Sequence, residues 1–416
     1  MIISDANTMK VKEEMTMKAI IIGAGTAGPM AAMFFKRAGI EAEIFESRSE
    51  AASYTGWFLN LAGNGIEVLK TLGIEQPILA EGSPAPRMIM WSGKGKQLGE
   101  VRNGARHGLT ESIIIRRSEL QRHLNDAARQ QGIPIHFGKR LSSIDMTDTS
   151  VVVRFEDGTT ASGDFLVGAD GVHSRVRQII NPDAPKPAYT GLVSTGGFTD
   201  KLDLPPTPNV QHFIFGKRAF FGYHVRSSGE VYWFNNHGRK EAAGRTELTQ
   251  SEDWQRRLLE MHRDDMPLIN QIIQATDSGI GAYPIYDMPP QPVWHKGCVV
   301  LIGDAVHAIS PSSGQGASLA MEDAAVLAKC LRDVDTPEQA FATYEALRRE
   351  RVERLVKWAR ALGGAKLATN PIQVWLRDLM MPIFLKFAAN PTSLDWIYAY
   401  KVEWDEQAIE AELVPA

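Results

Sequence analysis

Lys18-Ala19-Ile20-Ile21-Ile22-Gly23-Ala24-Gly25-Thr26-Ala27-Gly28 is the stretch of this 416-residue chain that predicts its fold. The β-branched apolar run predicts a strand and the residues after Gly28 predict a helix, so the glycines lie in a tight strand-to-helix turn. Gly23 permits the turn, Gly25 lets the backbone approach a pyrophosphate, and Gly28 lets the helix pack closely on the strand. Amides at a helix N-terminus favour phosphate. The stretch therefore indicates an α/β dinucleotide-binding domain.

Glu46 indicates which dinucleotide this domain accepts. It ends the next predicted strand, Glu41–Phe45, and follows Gly28 by 18 residues. A carboxylate here accepts hydrogen bonds from a ribose diol and repels a 2′-phosphate. The site therefore suits FAD or NAD and not NADP.

Two later glycine motifs favour FAD. Gly168-Ala169-Asp170-Gly171 follows a predicted hairpin of Val151–Phe155 and Asp164–Val167. Gly303-Asp304-Ala305, after the predicted strand Gly297–Ile302, continues through Pro311 to Gly314-Gln315-Gly316 and a predicted helix. The amides that begin this helix can stabilise the negative charge of a reduced flavin. Asp304 is placed for ribityl hydroxyls and Pro311 for the flavin's reactive carbon. The three motifs together predict one FAD molecule held along its length.

Composition predicts a large two-domain enzyme. The net charge of −4 argues against a nucleic-acid partner. Cys298 and Cys330 have no metal-ligand spacing, so we expect two buried thiols, no metal and a reducing, cytoplasmic location. Residues 1–18 lack the apolar core of a signal peptide, and no window approaches the roughly 20 apolar residues of a membrane span.

The predicted fold class is α/β, with a Rossmann-like FAD-binding domain interrupted by a β-rich substrate domain and followed by C-terminal helices. The sequence pattern changes between residues 183 and 283. In this region predicted strands rich in aromatic residues precede one predicted helix, Ser251–Ala275. The expected boundaries are 17–82, 108–182 and 284–335 for the FAD-binding domain, 83–107 and 183–283 for the substrate domain, and 336–416 for the helical region.

These motifs carry a family resemblance. They are Gly23-x-Gly25-x-x-Gly28-Pro29, Ile115-x-Arg117-x-x-Leu120, Asp170-Gly171-x-x-Ser174-x-x-Arg177, and Gly303-Asp304-Ala305-x-His307 through Pro311 to Gly316. The chain resembles the class A flavoprotein monooxygenases, which share the para-hydroxybenzoate hydroxylase fold. Salicylate-type hydroxylases and tetracycline-inactivating monooxygenases are the nearest types. The resemblance covers roughly residues 18 to 350 and is less specific for the substrate than for the fold.

The resemblance implies a mechanism and a set of cofactor contacts. NAD(P)H reduces FAD, O2 forms a C4a-hydroperoxide, and oxygen passes to an electron-rich aromatic substrate. The chain has no second Gly-x-Gly-x-x-Gly after a strand, so NAD(P)H is expected to bind transiently. The expected cofactor residues are Gly23, Gly25, Thr26, Ala27, Gly28, Glu46, Arg48, Asn60, Arg117, Asp170, Asp304, Pro311, Gly314, Gln315 and Gly316. The loop Glu50–Thr55 lacks the arginine that some members place near the flavin.

The aromatic strands of the insert are the expected substrate site. Alternation places Phe221 and Tyr223 on one face of their strand. The candidate lining residues are Phe213, Phe215, Arg218, Phe221, Tyr223, Trp233 and Asn235. An ordinary sheet core is the alternative for each aromatic residue. A flat, phenolic or polycyclic compound is the expected substrate.

Several alternatives remain open at this point. His307 either bonds on the cofactor side or packs in its loop. The apolar run Leu379–Leu385 either packs across the domains or contacts a membrane surface or a second copy, and the protein is expected to be a monomer or homodimer. A dehydrogenase or reductase without oxygen insertion, or a non-catalytic FAD- or drug-binding protein, is the alternative function.

Overall fold

The computed structural model describes residues 16–53, 56–104, 110–147, 149–242, 251–276, 279–364, 370–388 and 393–408. Most of the N-terminal extension expected at 1–18 lies outside them. The strands are β1 Lys18–Ile22, β2 Glu41–Glu46, β3 Phe58–Leu61, β4 Ser83–Pro84, β5 Arg87–Ser92, β6 Gln97–Arg102, β7 Ile113–Arg116, β8 Ile135–Phe137, β9 Leu141–Met146, β10 Val151–Phe155, β11 Thr160–Gly163, β12 Phe165–Gly168, β13 Ala188–Thr199, β14 Val210–Phe215, β15 Ala219–Val225, β16 Val231–Gly238, β17 Gly281–Asp287, β18 His295–Lys296 and β19 Val299–Leu301.

The helices alternate with these strands at first and are concentrated at the C-terminal end. They are α1 Ala27–Arg37, α2 Glu50–Ser53, α3 Gly63–Leu72, α4 Glu75–Glu81, α5 Arg117–Gln130, α6 Arg175–Ile180, α7 Ser251–Met261, α8 Pro267–Gln274, α9 Asp304–His307, α10 Gly316–Asp333, α11 Pro337–Gly364, α12 Pro371–Ala388 and α13 Asp395–Tyr398, with a 3-10 turn at Pro311–Ser313. Among the described residues, no helix is both long and apolar enough to cross a membrane.

The first sheet brings the three glycine motifs to one edge. Its six strands have the order β18-β19-β12-β1-β2-β8, and all neighbours from β19 to β8 run parallel. The buried apolar runs of β1, β12 and β19 suit strands covered on both faces. Their carboxyl ends are joined by amides: Ala169 donates to the Ile22 carbonyl at 2.8 Å, and Ile302 donates to the Gly168 carbonyl at 3.0 Å. The predicted α/β fold is confirmed.

The hairpin expected ahead of Asp170 has a different second strand. Val151–Phe155 pairs with Thr160–Gly163, whereas Phe165–Gly168 joins the parallel sheet beside β1. The prediction was wrong because the Asp157-Gly158 turn closes a short hairpin and leaves β12 free to continue. An apolar strand buried on both faces belongs in the parallel sheet.

The second sheet has seven strands in the order β17-β13-β16-β15-β14-β5-β6. Helices α7 and α8 cover one of its faces, where Phe221 and Trp233 pack with Trp254 and Ile269. These helices replace the single helix expected over residues 251–275. The break falls at Pro267, whose ring cannot continue a preceding helix but begins a new one.

The C-terminal helix α11 packs on α10 through a buried charge network. The Arg348 guanidinium is fully buried and lies 2.8 Å from both Glu322 Oε2 and Asp323 Oδ1. Arg351 adds a second pair with Glu322 at 2.8 Å and donates to the Trp396 and Ile397 carbonyls. The network therefore holds helices α10 and α11 and the segment around α13 together.

We predict that Arg348→Met lowers the free energy of unfolding by about 3 kcal/mol or more, because two buried carboxylates lose a partner. The neighbouring variant Arg349→Met is the matched control. It removes partly exposed pairs with Glu345 and Glu353, which should cost about 1 kcal/mol or less. Urea unfolding of both variants measures the difference, and equal midpoints would contradict the role given to Arg348.

The same network should make stability depend on acid. Burial alone would raise the pKa of Glu322 and Asp323, but neighbouring groups lower both: Arg351 and Arg348 act on Glu322, and His307 and Arg348 act on Asp323. Carboxyls with a lowered folded-state pKa stabilise the fold above their ordinary range, and that contribution is lost as the pH falls. Wild-type stability should therefore decline below about pH 4, and less steeply in Arg348→Met. Parallel declines, measured by urea unfolding at several pH values, would contradict this.

Candidate active site

A cavity of about 2080 Å³ lies between the carboxyl edge of the parallel sheet and the seven-stranded sheet. Its cofactor-side wall contains nine of the sequence-predicted residues: Gly25, Thr26, Ala27, Asn60, Arg117, Asp304, Pro311, Gly314 and Gly316. Because ordinary ligand sites measure roughly 300 to 1,000 Å³, this cavity can hold two molecules side by side.

The glycines of the first turn have two roles. Two of them allow close packing of strand and helix, and one leaves the backbone accessible to a ligand. Gly23 has φ +111°, and a Cβ there would lie 2.4 Å from the Ala169 oxygen. A Cβ on Gly28 would lie 1.9 Å from the Gly23 oxygen. A Cβ on Gly25 would meet nothing within 4 Å, because Gly25 borders the cavity. Gly23 and Gly28 therefore bring strand and helix together, and Gly25 leaves its backbone open to a ligand.

Glu46 lies behind this turn and holds it. Its Oε2 accepts a hydrogen bond from the Ala24 amide at 2.9 Å, and its Oε1 accepts one from the Arg48 amide at 2.9 Å. Arg48 is exposed and does not line the cavity. Glu46 thus positions the turn in addition to the ribose contact that the sequence predicts for it.

The Asp170 motif holds together loops that border the cavity. Asp170 Oδ2 accepts hydrogen bonds from the Arg175 and Val176 amides at 2.7 and 3.1 Å, and burial raises the pKa of this carboxyl. Arg177 donates to the Ala305 carbonyl at 2.6 Å and to the Val172 carbonyl at 2.8 Å. The Asp170 side chain does not line the cavity; the neighbouring residues Ala169, Gly171, Val172 and His173 do. Arg177 ties this loop to the loop after Gly303.

Asp304 faces the cavity from a turn that Asp323 fixes. Asp323 Oδ2 accepts a hydrogen bond from the Gly303 amide at 2.9 Å and pairs with His307 Nε2. Burial raises the pKa of Asp304, and the Arg117 guanidinium opposes that effect. His307 is buried and packs against Trp294. Of the two interpretations of His307, the structure favours the packed one.

The last motif presents amides at the start of α10. Gly314 has φ +63°, and a Cβ there would lie 3.0 Å from Asn60 Nδ2. Gly316 begins α10 and faces the cavity with Pro311 and Gly314. The Gln315 side chain is fully buried, and its Oε1 accepts a hydrogen bond from Asn64 at 3.0 Å. Only the backbone of Gln315 is therefore available to a cofactor.

An amide cluster, Asn60, Asn103 and Gln211, lies beside Gly314. Asn60 Oδ1 accepts hydrogen bonds from Asn103 Nδ2 at 2.6 Å and from Gln211 Nε2 at 3.4 Å. All three residues line the cavity. The cluster is a neutral hydrogen-bonding surface at the junction between the two ends of the cavity. Asn103 and Gln211 were not among the sequence-predicted residues.

The seven-stranded sheet turns one aromatic face to the cavity. This face, called the apolar chamber here, consists of Met88, Met90, Phe213, Phe215, Phe220 and Phe234. Gly222 makes the face possible, because a Cβ there would lie 2.3 Å from the Phe234 ring. Phe213 and Phe215 therefore lie where the sequence predicts them.

The other five predicted substrate residues do not line the cavity. Phe221, Trp233, Tyr223 and Asn235 lie on the opposite sheet face, against α7 and α8; Trp233 donates to Thr276 and His262 bonds Asn235. Arg218 bonds Asp264 and the Met261 carbonyl near that helix pair. Phe215 pairs with Phe220, so Phe213 is opposite Gly222 and not opposite Phe221. The three residues 216–218 that connect β14 to β15 go with this register.

Helix α12 covers the chamber. Arg377 Nη2 donates to the Phe215 carbonyl at 2.9 Å, and Met381 packs with Phe215, Phe220 and Phe234. A Cβ on Gly99 would lie 2.7 Å from Leu385 Cδ1, so the helix approaches β6 closely. The run Leu379–Leu385 thus packs on the insert with one face, and packing across the domains stays a prediction.

Comparison with known proteins identifies the family. A family model described as FAD binding domain matches residues 16–359. The chain belongs to this FAD-binding family. The predicted class A resemblance is confirmed, because relatives along most of the chain are named FAD-dependent urate hydroxylase, 6-hydroxynicotinate 3-monooxygenase and 3-amino-4-hydroxybenzoate 2-monooxygenase.

Three relatives illustrate the similarity of this flavin monooxygenase to known ones. It is 31% identical over 351 residues to FAD-dependent urate hydroxylase of Klebsiella pneumoniae, across 83% of this chain and 89% of the relative. It is 29% identical over 373 residues to aurachin C monooxygenase/isomerase of Stigmatella aurantiaca, across 88% and 94%. The crystal structure of Klebsiella pneumoniae HpxO with FAD and uric acid superposes with TM-score 0.80 at 26% identity, across 91% and 97%.

FAD is the cofactor of this monooxygenase family, and the cavity fits it. Gly25 leaves a backbone cradle that a side chain would fill, Asp304 turns a carboxylate to the cavity, and α10 begins at it. The side chains that would hold FAD are therefore Arg117 and Asp304, together with the backbone of the three glycine motifs. NAD(P)H is the co-substrate typical of the family.

Two glycine variants should separate folding from FAD binding. Gly28→Ala should destabilise the FAD-free protein by about 2 kcal/mol or more, because its methyl group overlaps backbone. Gly25→Ala should leave that stability within about 0.5 kcal/mol and reduce FAD affinity at least tenfold, because its methyl group enters the cavity. Thermal unfolding without FAD and FAD titration measure both. A Gly25→Ala protein with wild-type FAD affinity would contradict the proposed pyrophosphate cradle.

Proposed function

We propose that this enzyme inserts one oxygen atom from O2 into a neutral, electron-rich aromatic or polycyclic small molecule at the expense of NAD(P)H. The observation that carries the proposal is the continuity of the cavity. One wall is built from the three glycine motifs and the other from the apolar chamber. A flat molecule in the chamber would contact the aromatic face on one side and the FAD site on the other.

Bound FAD supplies the redox and oxygen-activating chemistry. The residues of this chain bind FAD and the substrate, orient them, and exclude water from the site. Arg117 adds positive charge beside Asp304, and the first amides of α10 favour negative charge near Gly314 and Gly316. The rings of Tyr283 and Trp57 are in tilted contact, 5.0 Å between centroids, and both line the cavity. Tyr283 offers the cavity a neutral phenolic hydroxyl, and burial raises its pKa further above neutrality.

The polar groups around the chamber support a neutral substrate. The amide cluster, Ser194 and Asn236 offer uncharged donors and acceptors. Of the lining cations on this side, Arg377 is engaged with Asp378 and the Phe215 carbonyl, and Arg102 is exposed. Glu100 pairs with Arg87 at 3.2 Å. Hydroxyl, carbonyl or ring N–H groups match such a surface better than a carboxylate does.

The names of the relatives agree with an aromatic substrate class. They are a urate hydroxylase, a 6-hydroxynicotinate 3-monooxygenase and an aurachin C monooxygenase/isomerase. We carry over only the shared element, oxygen insertion into a small molecule. The residue assignments, the domain boundaries, a monomeric or dimeric state and a cytoplasmic location are part of the same proposal. The buried cysteines Cys298 and Cys330 agree with a reducing compartment.

An oxygen-coupled assay tests this function. The FAD-loaded protein is mixed with NADH or NADPH and with phenols, quinolones or polycyclic phenols, and nucleotide oxidation, O2 uptake and product mass are followed. We expect one class to accelerate nucleotide oxidation, with O2 consumed and product mass raised by one oxygen atom. The same mixtures under argon are the control. Reduced product formed equally well under argon would contradict the proposal and establish the reductase alternative.

A further inference from the structure

We propose that the substrate carries a long apolar substituent, which lies in the apolar chamber beneath α12 and reaches the surface beside Met380. This inference rests on the proposed function, because it concerns the substrate of the same site. It follows from the length of the chamber, from its composition and from its mouth.

The length of the chamber follows from strand β14. Gln211, Phe213 and Phe215 all face the cavity from this strand. Gln211 belongs to the amide cluster beside Gly314, whereas Phe215 lies under Arg377 of α12. Four residues of strand span about 13 Å. An aromatic ring held at the amide cluster fills only part of that length, so another part of the substrate has to fill the rest.

The composition of the chamber shows what can fill it. Phe215, Phe220 and Leu98 form a buried cluster against which Met90, Phe234 and Met381 pack. Methionine side chains adapt to irregular apolar shapes. The guanidinium of Arg377, on the covering helix, donates to the Phe215 carbonyl and to the Asp378 carboxylate. A flexible hydrocarbon group suits this surface, and a second polar group does not.

The mouth of the chamber is apolar as well. Leu362 of α11 and Met380 and Ile383 of α12 line the cavity and are also 38%, 49% and 49% exposed. Apolar side chains of both helices therefore line the cavity here and are accessible to solvent. Exposed apolar surface of this kind marks a binding site. A substituent longer than the chamber would leave along it, with α12 kept in place by its bonds to Phe215 and its contact with Gly99.

A chain-length series tests the inference by binding alone. Resorcinols that carry a methyl, pentyl or undecyl group are titrated into the oxidised FAD-loaded enzyme without NAD(P)H, and the change in flavin absorbance gives Kd. Each buried methylene should raise affinity about fourfold, so the pentyl compound should bind at least thirtyfold more tightly than the methyl compound, and the undecyl compound more tightly again. Equal affinities, or absence of binding by all three, would overturn the inference.

Two adjacent variants show where the substituent lies. Met380 lines the cavity, whereas Leu379, 51% exposed on the same helix, does not. Met380→Gln should weaken binding of the undecyl compound about tenfold and leave the methyl compound unchanged. Leu379→Gln should leave all three affinities within twofold of the wild type. An equal loss in both variants would place the substituent on the outer surface of α12 and overturn the inference.

The binding series and the oxygen-coupled assay test different claims, so one claim can be overturned without the other. Oxygen-linked turnover without any preference for longer substituents overturns the inference and leaves the monooxygenase function standing. Absence of oxygen-linked turnover with every aromatic compound overturns the proposed function. The binding series needs no turnover, so it still decides whether the chamber takes an apolar substituent.

Discussion

The structure depends on backbone hydrogen bonds that hold the carboxyl ends of neighbouring parallel strands together. The amides of Gly23, Ala169 and Ile302 donate to carbonyls of the neighbouring strands, so three segments almost three hundred residues apart end at one edge. The three glycine motifs and Asp304 take their places from that edge, whereas Asn60 and Arg117 come from β3 and from the start of α5. The glycines matter because backbone approaches backbone there, and a methyl group on Gly23 or Gly28 would occupy the position of a carbonyl oxygen.

Buried charge extends this constraint to the C-terminal helices. Asp323 is the centre of the arrangement, because it bonds the Gly303 amide and His307 on one side and Arg348 of α11 on the other. The turn that presents Asp304 is therefore held by the same carboxylate that holds α11. Arg177 performs the equivalent task between the second and third glycine motifs, through the Val172 and Ala305 carbonyls.

The sequence predicted the cofactor half well because its signals are local. A strand, a glycine turn and a helix follow one another within a dozen residues, and the chemistry of such a turn depends on backbone alone. The substrate half depends on register and on contacts between distant segments. Alternation shows that Phe221 and Tyr223 share a face, but only the pairing of Phe215 with Phe220 shows that this face looks away from Phe213. The covering position of α12 depends on Gly99, more than two hundred and eighty residues before Leu385.

Helix α12 is late in the chain and belongs to neither sheet. Its described contacts with the chamber are few: a bond to one carbonyl, a close approach at one glycine and the packing of Met381. Substitutions on this helix can therefore reshape the substrate space while the strand ends and their cofactor remain undisturbed. A lineage built in this way can acquire new substrates by altering a single late helix, at little risk to the redox machinery beneath it.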